Sequence, residues 1–183
     1  MMGNPRGIIV FGAPGAGSTT LGQELARVLG FLHLDLDHYF WRWDVEVPYT
    51  SHRSIPEMYD YIMADIERTQ HFVISGSMGE SSRGLFNSCF DMAVFITVPA
   101  AIRVDRLRSR TQLQFGARVL EGGDMYENNS KFIESSANYE TNGRLAAHEK
   151  WITELLCPIV RVDGTKNISE NAMWIAEQYN STP

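Results

Sequence analysis

Short apolar runs alternate with amphipathic stretches along this chain, a pattern that predicts an α/β fold with a mainly parallel sheet. Gly7-Ile8-Ile9-Val10-Phe11 is unbroken by polar residues, as a central strand buried on both faces must be. From Gly17 to Leu29 the apolar positions Leu21, Leu25, Val28 and Leu29 fall on one helical face, and Gly30 stands where a C-terminal cap belongs. Phe31 to Asp35 predicts a second strand, then an aromatic-rich loop from Tyr39 to Arg53 and a helix from Ile55 to Thr69. Phe72 to Ser75 and Ala93 to Val98 predict the third and fourth strands, the latter stopped by Pro99 ahead of a helix over Ala101 to Arg110. Residues 112–130 carry Gly116, Gly122 and Gly123 with little periodicity, as a mobile loop or lid would. One or two helices are expected over 131–156, a fifth strand over Ile159 to Val162, and a closing helix over Ile168 to Tyr179.

Composition narrows the class. The 183 residues suit one compact domain over 1–183 that buries its own core. A hydrophobic share of 44% with 21% charged residues is ordinary for a globular chain and excludes wholesale disorder. Cys89 and Cys157 match no metal-ligand spacing and read as small reduced core residues. The N-terminal Met1-Met2-Gly3-Asn4-Pro5-Arg6 has no apolar export segment, and no run approaches the ~18 apolar residues of a membrane span. The expectation is a cytoplasmic protein without a membrane partner, either a monomer or a homodimer. A net charge of −6 argues against a nucleic-acid surface. Arg103, Arg106, Arg108 and Arg110 nevertheless crowd together, and a local positive patch in an acidic chain suits a small anionic ligand.

The strongest chemical signal is Gly12-Ala13-Pro14-Gly15-Ala16-Gly17-Ser18-Thr19-Thr20. Gly12-x4-Gly17-x-Thr19 has the spacing of the phosphate-binding G-x-x-x-x-G-K-[ST] motif, between an apolar strand and an amphipathic helix. Glycines let successive backbone N–H groups point inward as an anion-binding nest, and the helix start adds its dipole. Thr19 offers a hydroxyl to Mg²⁺. The ligand expected is a nucleoside triphosphate, ATP, with Gly12, Gly15, Ala16, Gly17, Ser18, Thr19 and Thr20 around its phosphates. The spacing is not the G-x-G-x-x-G of dinucleotide folds. Ser18 occupies the lysine position of this Walker A variant. Either an arginine elsewhere compensates, or the protein binds nucleotide without turnover, as a sensor or assembly module.

His33-Leu34-Asp35-Leu36-Asp37 alternates strictly, which on a strand puts His33, Asp35 and Asp37 on one face. At the carboxyl end of a parallel sheet, one aspartate could hold Mg²⁺ through water and the other take a proton from an acceptor hydroxyl; a helix N-cap is the plain alternative. His33 reads as structural. Tyr39, Phe40, Trp41, Trp43 and Tyr49 would pack in a core or form a wall for an acceptor, with Arg53 on its anion. Arg106 and Arg110 lie four apart on one helix face and could fold onto the transferring phosphate as a lid closes. Arg118 and Arg144 are weaker candidates for the same work.

Together these segments resemble the nucleoside-monophosphate-kinase-like branch of P-loop proteins over most of the chain. Asp105-Arg106-Leu107-Arg108-Ser109-Arg110 resembles the adenylate-kinase segment entering the lid, and Val162-Asp163-Gly164-Thr165-Lys166 that family's adenine-side turn. His33-x-Asp35-x-Asp37 is similar to the D-x-D of shikimate and gluconate kinases, which implies a metal-side Asp35 and a base-side Asp37. With Gln114-Phe115-Gly116-Ala117-Arg118 and Gly122-Gly123-Asp124-Met125, the whole looks most like bacterial adenylate-kinase-like proteins of undefined acceptor. The resemblance implies a three-layer P-loop fold of five parallel strands in the order 2-3-1-4-5 with a small lid, and ATP- and Mg²⁺-dependent phosphoryl transfer to a small acceptor. Asp37, Arg106 and Arg110 would be its catalytic residues, with Asp35, Arg53 and Arg118 on the substrate side. Ser75-Gly76-Ser77 departs from the Asp-Gly and following arginine of adenylate kinases, which counts against AMP as acceptor.

Overall fold

A computed structural model describes residues 6–181; Met1 to Pro5 lie outside the described residues. Five parallel strands form one sheet in the order β2-β3-β1-β4-β5, as expected. They are β1 (Arg6–Gly12), β2 (Leu32–Asp35), β3 (His71–Ser75), β4 (Phe90–Thr97) and β5 (Ile159–Asp163). The eight α-helices among the described residues are α1 (Ser18–Leu29), α2 (Leu36–Phe40), α3 (Ile55–Thr69), α4 (Glu80–Phe86), α5 (Ala100–Phe115), α6 (Tyr126–Ala137), α7 (Arg144–Glu154) and α8 (Ile168–Ser181).

Alternation along β1 builds the three layers. Ile9 and Phe11 face a core shared with Ile62 and Ile66 of α3, Phe86 of α4 and Trp151 of α7. Ile8 and Val10 face the other core, with Leu21 and Leu25 of α1 and Ala172 and Ile175 of α8. All four β1 side chains are fully buried, which explains why this strand reads as a continuous apolar run. Helix ends follow local chemistry: Ser54 caps α3 by accepting from the Glu57 N–H, and Gly30 ends α1 in the left-handed conformation at φ 70°.

The structure departs from the sequence pattern in three places. β2 stops at Asp35, whose side chain accepts the Asp37 N–H at 3.1 Å and starts α2, so Asp37 lies on a helix and not on the strand face of His33. An unexpected helix, α4, follows β3. Much of the segment expected as an irregular loop is ordered: α5 continues to Phe115, a 3₁₀ turn covers Gly116–Val119, and α6 begins at Tyr126.

Candidate functional site

The loop after β1 has the backbone of an anion nest. Gly15 and Gly17 stand at φ 82° and 98°, and Ala16 N–H closes a turn on the Ala13 carbonyl at 3.0 Å. Gly12 must be glycine for another reason, since a Cβ there would meet the Ile96 carbonyl oxygen at 2.3 Å. Around Gly17 a Cβ would meet nothing within 4 Å, so open space lies beside the loop at the start of α1. Unlike α3, α1 has no side-chain cap, which leaves its first N–H groups directed at that space. Ser18, Thr19 and Thr20 form its first turn.

Two cavities open near this loop. One, of about 360 Å³, is lined by Ala16, Gly17, Thr20, Arg106, the β5–α8 turn at Gly164, Lys166 and Asn167, and Ile168 and Asn171 at the start of α8. The other, of about 630 Å³, lies under the ends of β2 and β3 and is walled by α2, the aromatic loop, α5 and α6. Ser77 on its rim donates through Oγ to the Gly12 carbonyl at 3.2 Å, joining the larger cavity to the phosphate loop. Helix α5 reaches both. Arg106 donates to the Ala16 carbonyl at 3.4 Å and the Gly164 carbonyl at 3.1 Å, while Arg110, one turn on, lines the larger cavity.

Asp37 is on the wall of that cavity. Its side chain is exposed on the cavity wall, with protein packed behind it. Burial raises its carboxyl above the usual range and the charge of Asp35 adds to this, with Arg110 and the Trp41 side chain opposing. Tyr49 lines the same space from a left-handed backbone at φ 63°, a conformation that costs a bulky residue on the order of 1–3 kcal/mol and is concentrated at functional sites. Burial, and then the Asp37 charge, raise its phenol. Its ring meets Trp41 at 5.6 Å and Phe115 at 6.1 Å.

The remaining expected residues are dispersed. Asp35 caps α2 and thereby fixes Asp37. Arg53 is outside both cavities, its Nη1 donating to the carbonyls of His38, Tyr39 and Trp41 at 2.8–3.2 Å. Arg118 is partly exposed and lines neither cavity, pairing with Asp124 at 2.7 Å and donating to the Glu46 carbonyl. The arginine run is not one patch: Arg103 is buried, held by the Val98 and Ser136 carbonyls and by Glu140, because its helical position faces inward. His33 is structural, 2.9 Å from the Ser75 hydroxyl behind α1. Arg144, at the start of α7, does line the larger cavity, as do Ser77 and Gln114, from segments that bear on the resemblance, and Ser82 and Phe132, which nothing in the sequence singled out. They come from four separate segments, and no local pattern joins them.

No protein-family model matches the chain. A solved shikimate kinase from Acinetobacter baumannii, in complex with shikimate, superposes with a TM-score of 0.58 at 16% identity over 97% of this chain and 93% of its own, which shows the shared P-loop fold. The shikimate kinase of Nitrosomonas europaea is 28% identical over 160 residues, 79% of this chain and 69% of that enzyme. The uncharacterized protein YqaC of Bacillus subtilis is 32% identical over 180 residues, 96% of this chain and 98% of its own length. With similarity of that extent from end to end, the chain belongs to the family of Bacillus subtilis YqaC.

Proposed function

We propose that this protein is an ATP- and Mg²⁺-dependent phosphotransferase that moves the γ-phosphate to a small acceptor in the larger cavity. One observation carries the reading: α5 spans two cavities, holding Arg106 at the one that the phosphate loop lines and Arg110 at the one joined to that loop through Ser77. The smaller cavity suits the nucleoside, the loop of residues 12–20 the phosphates, and the larger cavity the acceptor. The donor set suits a hydrated Mg²⁺ carried in by the nucleotide, with Thr19 offering its hydroxyl and Asp35 a carboxylate oxygen through water, since this ion takes few protein ligands beside phosphates. When bound, the ion neutralises charge between the β- and γ-phosphates.

The chain's own groups do the rest. Asp37 accepts the acceptor's hydroxyl proton as the new oxygen–phosphorus bond forms and the bond to the β-phosphate oxygen breaks, releasing ADP. A carboxylate raised by burial is the better base for this step. Arg106 and Arg110 supply the positive charge that Ser18 does not, and the segment from Phe115 to Tyr126, crossing between α5 and α6, acts as the lid that excludes water.

The test is ADP release from ATP across a panel of hydroxyl acceptors, with ATP binding followed calorimetrically alongside. Acceptor-dependent ADP release is expected. ATP binding with no turnover on any acceptor would instead favour a nucleotide sensor, the reading that Ser18 supports.

A further inference from the structure

The larger cavity describes its own ligand. Its volume of about 630 Å³ falls within the ~300–1,000 Å³ of pockets that hold drug-sized molecules. Trp41, Tyr49 and Phe115 contribute a continuous aromatic surface, each ring edge-on to the next. Met125, at the N-cap of α6, and Phe132 within that helix also line the cavity, and the other exposed positions of α6 are mostly polar. Phe132 keeps 36% of its surface open, an apolar area that a ligand ring would cover.

Charge on the wall is sparse and unbalanced. Asp37, Arg110 and Arg144 are the Asp, Glu, Lys and Arg side chains lining the cavity, so the positive charges exceed the negative by one. Arg110 offsets Asp37. Whereas Arg103, Arg118 and Arg161 each hold a carboxylate, the Arg144 guanidinium donates only to the Ser135 hydroxyl, at 3.3 Å, among the described residues. A guanidinium turned toward an apolar cavity with no anion of its own is suited to an anion on the ligand.

Building on the phosphotransfer reading above, we propose that the acceptor is a hydroxyl compound with a flat ring and one acid group: the ring between Trp41 and Phe132, the acid on Arg144, the hydroxyl at Asp37. Its hydroxyl proton passes to Asp37 while its oxygen takes the γ-phosphoryl group from ATP, leaving ADP. Two kinds of molecule have this chemistry, an aromatic hydroxy acid and a mononucleotide with a free hydroxyl. A polyhydroxy acid on a non-aromatic ring leaves the aromatic wall uncovered.

The experiment is calorimetric binding to the full chain in Mg²⁺–ADP with four probes: 3-phenyllactate, adenosine 3′-monophosphate, adenosine and shikimate. At least one of the two ring acids is expected to bind tenfold or more tighter than shikimate, and which one does so identifies the source. If the nucleotide is the source, it should exceed adenosine by a similar factor, and Arg144→Gln should erase that difference. Phe132→Ser, at a partly exposed position the fold tolerates, should weaken the ring acid roughly tenfold, the scale of one lost aromatic stack, and leave shikimate unchanged. Trp41→Leu provides the same comparison from the aromatic loop. Shikimate binding as tightly as both ring acids, neither ring acid binding, or indifference of ring-acid affinity to Phe132→Ser and Trp41→Leu would overturn the proposal. ADP release from ATP, measured with the same probes, separates the two readings. A ring acid that binds without ADP release refutes transfer and upholds the ligand class, whereas ADP release with shikimate alone does the reverse.

Discussion

The Tyr139 hydroxyl and His148 Nδ1 lie 2.6 Å apart in the layer beneath the sheet, both side chains buried. Burial, with Arg83 and Arg144 adding to it, lowers the imidazole from 6.5 to about 4, and burial raises the phenol to about 12. The folded state therefore holds a neutral imidazole, to which the phenol can donate. Between pH 6.5 and about 4 the unfolded chain binds a proton here that the folded chain does not, so stability falls as pH falls through that window. The full effect is on the order of 3 kcal/mol. Urea unfolding from pH 7 to pH 4 should show this loss in the native chain and a shallower slope in His148→Gln; equal slopes would exclude His148 as the cause.

Gly17 stands at φ 98° with open space where a side chain would go. If that space receives the phosphates, Gly17→Val should abolish nucleotide binding while the sheet still forms. Calorimetry with ATP on a variant of normal circular dichroism is the check, and unchanged affinity would remove this loop from the proposed site.

Asp37 should reveal itself twice. Loss of a general base typically lowers turnover by roughly 10² to 10⁴, so Asp37→Asn should do so with little change in ATP affinity. The same variant should be more stable at neutral pH. A carboxyl whose pKa is raised on folding from its ordinary 3.8 burdens the folded state once both states are ionised, and adds nothing below pH 3.8, where both are protonated. Melting curves of the two proteins should separate near pH 7 and converge in acid. The turnover of the native chain should rise with pH along an acid limb lying above the ordinary carboxylate range.

The strands could be read from the chain because buried parallel strands consist of little but apolar residues, as Ile8 to Phe11 do. The phosphate loop was legible because its glycines answer to backbone demands that hold in any fold. The start of α2 was hidden, since Leu34 and Leu36 are buried at 2% and 5% exposure and their alternation mimics a strand continuing. The α4 sequence, with two serines and Gly84, has poor helix propensity, and packing of Phe86 and Arg83 stabilises it instead. Arg103 looks like its neighbours in sequence and differs by its burial, which brings it to Glu140 and to the Val98 and Ser136 carbonyls. The wall of the larger cavity gathers residues from Leu36 to Arg144, and such a surface exists only after folding.

Ser18 poses the sharpest question, because phosphoryl transfer rests on positioning and charge and serine brings no charge. Arg106 reaches the phosphate loop through the Ala16 carbonyl, by a long 3.4 Å contact that a phosphate oxygen could outcompete. Arg110 lies one turn, or about 6 Å, further along α5, beside Asp37 in electrostatic reach. The missing lysine's work is then divided: Arg106 on the nucleotide side, Arg110 where the γ-phosphate meets the acceptor. Both Arg106→Ala and Arg110→Ala should leave the fold intact and lower turnover severely, with Arg106→Ala also weakening ATP binding. Ser18 opens α1 at a partly exposed position, so Ser18→Lys should fold and bind ATP more tightly. One added charge-assisted hydrogen bond contributes roughly 1.5–3 kcal/mol, or about 10- to 100-fold. The double variant Ser18→Lys with Arg106→Ala is the decisive measurement, since a lysine that takes over the lost charge must restore part of the affinity. If neither arginine variant loses turnover, or if the lysine rescues nothing, positive charge from α5 is not what replaces the lysine.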